Sequence, residues 1–229
     1  SDDEILAASK FSRIPGTYTH VVAAFAQPNF SYSRTENYDK NVWTGTGLNF
    51  NAGPQDIKRA IDILHARGIK VLLAVGGATY NSWGGLAAEN GNASGTITNA
   101  LKQIMLDVGF DGLDVDYEVD GITTSDYEGA IRAMRKAVDL AGGGKILALA
   151  GWSTGADCTA ATTSVNKNDS SCGGAISYWG GKAGGERLLN PSVRAMIDMV
   201  SIMSYDARYE HYDGVKAWEN YRSIFPRTT

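Results

Sequence analysis

Short apolar runs and helical repeats alternate along the 229-residue chain. The run at 19–26 (THVVAAFA) has the length and β-branched content of a buried strand, and 54–67 (PQDIKRAIDILHAR) follows as a helix that stops at Gly68. A second run at 70–75 precedes a helix at 96–108, where Ile97, Leu101, Ile104, Met105 and Val108 recur at helical spacing. Residues 111–119 read as a third strand. The next helix is 125–140, with Ser125 as N-cap and Glu128 three residues on completing a capping box. Runs at 145–151 and 199–205 predict a fourth and a fifth strand, and short helices are predicted near 191–196 and 215–224.

Nearly continuous apolar strands alternating with helices predict an α/β fold, with parallel strands covered by helices. Strand starts near 19, 70, 112, 146 and 199 recur about every 45 residues, which is long for a doubly wound sheet. Eight such units need roughly 360 residues, within the range of a (β/α)8 TIM-type barrel. Five strands are visible, so the expectation is an incomplete barrel in which strand 1 and strands 7–8 are not represented. Residues 1–229 then form one partial barrel domain, from about helix 1 to helix 6.

The third strand (DGLDVDYEV) carries the chemistry. Leu113, Val115, Tyr117 and Val119 fall on one face, and Asp114, Asp116 and Glu118 on the other. Alternate residues lie roughly 6.6–6.8 Å apart, so these carboxylates repel unless they share protons or hold cations. Barrel strands present their C-terminal ends to the reaction, which puts Glu118 uppermost, Asp116 one repeat below and Asp114 deeper. A carboxylate above another has its pKa pushed up and can keep a proton as a general acid. Acidic rows also bind Mg²⁺ or Ca²⁺. Spacing leaves both readings open.

A formal charge of -4 with no basic stripe argues against a nucleic-acid partner. No apolar run approaches a membrane span. The chain starts at Ser1 without an initiating Met, which predicts a processed or trimmed product. Cys158 and Cys172 lie in a Gly/Ser/Thr/Asn-rich stretch, and no His or further Cys completes a zinc set. A disulfide between them is expected, worth about 3 kcal/mol by loop closure; two free thiols in a cytosolic protein are the alternative. Asn29, Asn92 and Asn168 begin N-glycosylation patterns. Secretion to the extracellular medium is the expectation. The run Gly142-Gly143-Gly144-Lys145 lacks a following Ser or Thr and precedes a strand, so it reads as a turn rather than a phosphate loop. His20, His65 and His211 show no zinc spacing.

Residues 111–118 resemble the DGxDxDxE signature of glycoside hydrolase family 18, the chitinases and their relatives. Residues 70–77 (KVLLAVGG) resemble that family's third-strand SxGG segment, Met203-Ser204-Tyr205-Asp206 its sixth-strand MxYD segment, and 18–25 its second strand. The likeness runs from about residue 15 to 222. It implies a substrate-assisted, retaining cleavage of β-1,4-linked N-acetylglucosamine polymers, with no metal and no cofactor. By position, Glu118 protonates the glycosidic oxygen and the sugar's own acetamide carbonyl attacks the anomeric carbon. Asp116 orients the acetamide N–H, Asp114 tunes Asp116 from below, and Tyr205 bonds the acetamide oxygen. Phe25, Gly77, Met203 and Asp206 carry over as substrate-binding positions. Ala74 departs from the pattern, where relatives have Ser, and Ala78 stands where many carry an aromatic. The eighth-strand Trp that floors the subsite in relatives has no counterpart in this sequence.

Aromatics after the predicted strands suit the apolar faces of sugars: Tyr80, Trp83, Trp152 and the pair Tyr178-Trp179. Trp83 and Trp152 are taken as the substrate-binding candidates among them. The expected partners are chitin or N-acetylglucosamine oligosaccharides, together with further barrel segments of the same protein. Two alternatives share the fold: an endo-β-N-acetylglucosaminidase acting on N-glycans, and a non-catalytic chitin-binding lectin. A metal-dependent hydrolase using the Asp row is a third.

Overall fold

The computed structural model describes residues 13–119, 124–157, 185–207 and 212–225. Five strands form one sheet: β1 (His20–Ala26), β2 (Lys70–Gly76), β3 (Gly112–Asp116), β4 (Ile146–Trp152) and β5 (Met199–Met203). Each pairs in parallel with the next, so spatial order equals chain order. A doubly wound sheet reverses its order at a switch point. This one runs in a single direction, as the wall of a (β/α)8 barrel does. Among the described residues the outer edges of β1 and β5 carry no further strand, apart from one antiparallel bridge between Ala26 and Leu48.

The inner strands read as continuous apolar runs because both their faces are covered. Val71, Leu72, Leu73, Val75, Leu113 and Val115 are all buried. The edge strand β1 differs, leaving Val22 and Phe25 each 40 % exposed.

The helices follow the periodicity closely. Helix α1 (Pro54–His65) starts on Pro54, where a missing N–H costs nothing, and buries Ala60, Ile61 and Leu64. Helix α2 (Gly84–Glu89) was not expected; six residues opening on two glycines offer no repeat to detect. Its Glu89 caps the next helix, α3 (Thr96–Val108), accepting from the N–H groups of Ile97 at 2.7 Å and Thr98 at 2.8 Å. Gly109, at φ 93°, ends α3 by donating to the Met105 carbonyl.

Helix α4 (Thr124–Ala141) buries Tyr127, Ala130, Ile131, Met134, Ala137 and Val138 at spacings of three and four. The capping box expected at its start is absent. Ser125 lies inside the helix, and Glu128 faces other partners: it accepts from the Asn190 N–H at 2.6 Å and pairs with Arg132 at 2.9 Å. A tertiary contact has taken the side chain that a local cap would use.

Helix α5 (Pro191–Arg194) is capped by Asn190, and α6 (Gly214–Ile224) by Asp213. Strand β5 stops at Met203 rather than 205, because the chain turns into a 3₁₀ helix at Ser204–Asp206. At the opposite end of the sheet, Asp111 precedes β3 instead of joining it. Its Oδ2 accepts from the Val71 N–H at 2.7 Å and bonds His65 Nε2 at 2.7 Å. His65 therefore has a structural partner far from the C-terminal strand ends.

Candidate active site

The acidic row is built by strand register. On one face of β3, Leu113, Val115 and Tyr117 join the core under the helices. The opposite face carries Asp114 and Asp116, each 5 % exposed, and Glu118 stands half-buried just past the end of the strand. Ala74 of β2 and Ala148 of β4 flank Asp114 in register, so methyl groups lie to either side of its carboxyl. Asp114 Oδ1 and Asp116 Oδ1 find no hydrogen-bond partner among the described residues.

Burial alone raises Asp114 from the ordinary carboxylate range to about 7. Asp116 is also raised to about 7, by burial first, then by the charges of Glu118 and Asp114, and by its hydrogen bond to Glu118. These effects favour the protonated form of Asp116, in which its carboxyl donates to Glu118. The sequence placed the raised pKa on the uppermost acid. The two carboxyls beneath it, the more deeply buried, are raised by that burial.

Neighbouring strands bring other candidates to the same end of the sheet. Gly76 pairs with Asp116, and the Gly77 N–H donates to the Asp116 carbonyl at 2.9 Å. Gly76 and Gly77 have φ of 112° and 95°, a region that side chains disfavour. A Cβ on Gly77 would meet the Phe25 ring at 3.2 Å, so that ring lies directly against the turn beside Asp116. On the other side Trp152 ends β4, partly exposed and in register with Met203 at the end of β5. Tyr205 and Asp206 follow in the 3₁₀ helix, where Tyr205 is 86 % exposed. Phe25, Gly77, Asp116, Glu118, Trp152, Met203 and Tyr205 thus gather at or just past the C-terminal ends of five successive strands.

Trp83 is placed differently from the open loop expected of it. It is 2 % exposed, with its ring centroid 4.7 Å from that of Tyr117. Tyr117 in turn stacks on Tyr127 of α4 at 4.4 Å. Trp83 is a packing residue under the acidic row, where a sugar cannot reach its face. Cys158, Cys172, Tyr178 and Trp179 lie outside the described residues, and so does the disulfide expected there.

Sequence reasoning passed over a second group of buried acids. Glu186 and Asp157 are buried near the end of β4, and burial raises each to about 7. Neither sits in a recognisable repeat, and both find their partners far along the chain. Among the described residues no three His, Cys, Asp or Glu side chains converge as a set of metal ligands.

Known proteins resemble this chain in sequence and fold. The model of Glycosyl hydrolases family 18 matches residues 3–226. A curated relative, Nod factor hydrolase protein 1 of Medicago truncatula, is 27% identical over 198 residues, covering 83% of this chain and 44% of the relative. The chain therefore spans less than half of that relative's length. A chitinase of Rhizomucor miehei superposes with a TM-score of 0.57 at 17% identity, over 95% of this chain and 60% of the other. A family 18 chitinase of Cycas revoluta in complex with (GlcNAc)4 gives 0.57 at 14% identity, over 96% and 62%. At such identities the solved structures speak for the fold alone. The family match spans almost the whole sequence, and on that ground the chain belongs to glycosyl hydrolase family 18.

Proposed function

We propose that this chain is the catalytic part of an endo-acting chitinase, cleaving β-1,4 bonds between N-acetylglucosamine units with retention. The observation that carries the reading is the geometry of the acidic row, with Asp114 and Asp116 buried beneath the more accessible Glu118 and Asp116 hydrogen-bonded to it. Glu118, the most accessible of the three, takes the proton from Asp116 and gives it to the glycosidic oxygen as the bond to the anomeric carbon breaks, which leaves Asp116 ionised. The acetamide carbonyl of the same sugar attacks that carbon. Asp116 turns its carboxyl to the acetamide N–H and balances the positive charge that develops, while Asp114 beneath takes up the altered hydrogen bonding. Glu118 then draws a proton from the incoming water. Tyr205 serves the acetamide oxygen, and Phe25, Gly77, Trp152, Met203 and Asp206 line the sugar site.

The Medicago relative is named for Nod factor hydrolysis and the Cycas structure contains (GlcNAc)4, which supports an N-acetylglucosamine oligomer as substrate. Further barrel segments of the same protein would cover the open sheet. A cavity of about 270 Å³ against β1, lined by Val21, Ala23, Phe50, Ile57 and Phe110 among others, is apolar enough to receive them. We also place the protein outside the cell, with the exposed Asn29 and Asn92 as glycan acceptors.

The full-length protein is tested on labelled N-acetylglucosamine oligomers and on an N-glycopeptide, each with and without EDTA. Cleavage of the oligomers, unchanged by EDTA, is the expected result. Cleavage of the glycopeptide alone assigns the endo-β-N-acetylglucosaminidase activity. Binding of chitin without cleavage assigns the lectin, and loss of cleavage with EDTA assigns the metal-dependent hydrolase.

A further inference from the structure

Glu186 is fully buried against α4, the end of β4 and α6. Its Oε1 accepts from the Tyr127 hydroxyl of α4 at 3.3 Å and from the backbone N–H of Trp152, at the end of β4, also at 3.3 Å. The Trp152 carbonyl is held in turn, by the hydroxyl of Tyr221 of α6 at 2.7 Å. Both polar backbone groups of Trp152 are thus fixed, one by Glu186 and one by Glu186's neighbour.

The second oxygen is the informative one. Glu186 Oε2 has no donor among the described residues and rests against Gly155, where a Cβ would collide with it. An ionised carboxylate buried in this way carries a large desolvation cost. A neutral acid does not, and it gains a use for the proton. The Tyr221 hydroxyl has already given its hydrogen to the Trp152 carbonyl, so its oxygen is free to accept one from Glu186.

Burial favours the neutral form of Glu186, and the hydrogen bonds it accepts work against that. Tyr127 faces it from α4, Tyr221 from α6, and the Asp157 carboxyl lies near Tyr221 in the turn after β4. The adjacent guanidinium of Arg187 is directed to the Ala156 carbonyl at 2.8 Å, and its charge acts on Asp157. Burial raises Glu186 to about 7.

The two residues that Glu186 holds flank the acidic row. Tyr127 stacks on Tyr117, the residue between Asp116 and Glu118, and feels the charge of Asp116. Trp152 is in register with Met203 on the far side. We propose that Glu186 is a positioning residue that locks Tyr127 and the Trp152 backbone on either side of the Asp116–Glu118 pair. Its kinetic consequence rests on the hydrolase reading; its structural consequence does not. As pH rises and Glu186 ionises, a buried negative charge appears between α4 and β4, with Oε2 lacking a donor among the described residues. Trp152 and Tyr127 then shift away from their places.

The test follows the backbone amide resonance of Trp152 in the full-length protein from pH 5 to 9, in wild type, Glu186→Gln and Glu186→Leu. Glutamine keeps the acceptor and supplies a permanent donor in place of the acid proton. In wild type the resonance is expected to titrate with a midpoint at about 7, and in Glu186→Gln that titration is expected to vanish. On N-acetylglucosamine oligomers, Glu186→Gln should keep wild-type kcat at pH 6 and retain activity further into the alkaline range. Glu186→Leu should lose about tenfold or more in kcat, the scale of a misplaced active-site group. A Trp152 amide that titrates equally in wild type and Glu186→Gln overturns the proposal, as does wild-type kcat in Glu186→Leu. If no variant cleaves the oligomers while the amide titration is still abolished in Glu186→Gln, the positioning role stands and the hydrolase reading falls.

Discussion

Asp114 lies between two alanines, and that placement accounts for its chemistry. Ala74 and Ala148 offer it no donor, Oδ1 has no partner among the described residues, and burial raises the carboxyl to about 7. A hydroxyl at position 74 would favour the charged form by donating to it. Ala74→Ser is therefore expected to lower the Asp114 midpoint, read by carboxyl NMR of the full-length protein. The new charge beneath should push Asp116 further up by repulsion. An unmoved Asp114 would show that the methyl environment does not set its protonation. At this scale the acidic row was legible because strict alternation survives in one dimension. Glu186 was not, because its meaning comes from Tyr127, 59 residues away in sequence, and from the end of β4. Trp83 misled for the opposite reason: a ring just after a strand looks exposed until Tyr117 and Tyr127 close over it.

The elements that position the site are held by helix faces with clear periodicity. Ile104 of α3 is buried with no exposed surface and belongs to the core cluster under β3. Ile104→Ala is expected to cost about 2–5 kcal/mol, from lost transfer energy plus the cavity left behind. Chemical denaturation of the full-length protein measures it, and a loss below about 1 kcal/mol would mean the site collapses freely. The long helices and all five strands could be found from repeats of 3.6 and from apolar runs. What escaped was short or tertiary in origin. Helix α2 has six residues, and the start of α4 uses Glu128 to hold the Asn190 backbone rather than its own first turn.

Over the whole molecule, buried acids set the response to pH. Asp114, Asp116, Asp157 and Glu186 are each raised to about 7. Such groups bind protons more tightly when folded than when unfolded, where carboxyls titrate at about 4. Their contribution to stability is full below that value and is lost as pH rises through about 7. Asp56 acts in the opposite sense, because hydrogen bonds from Asn41 and Arg59 lower it and it loses its contribution on acidification. With these four groups against Asp56 among the described residues, Tm is expected to fall between pH 4.5 and 8, and Asp157→Asn to flatten the slope. A Tm that rises across that interval would contradict this account. The sequential parallel order of a barrel wall was also legible, because strand spacing and direction are properties of the chain. Which side chains converge at its rim is a property of the fold.

The central claim is that Glu118 moves the proton in the cleavage of N-acetylglucosamine oligomers. It is tested most directly by comparing wild type with Glu118→Gln in the full-length protein, on a tetramer of N-acetylglucosamine, with kcat and tetramer affinity both measured. The account predicts a fall in kcat of about 10²–10⁴-fold, the usual worth of a general acid, with affinity held. Equal turnover in the two proteins would contradict it.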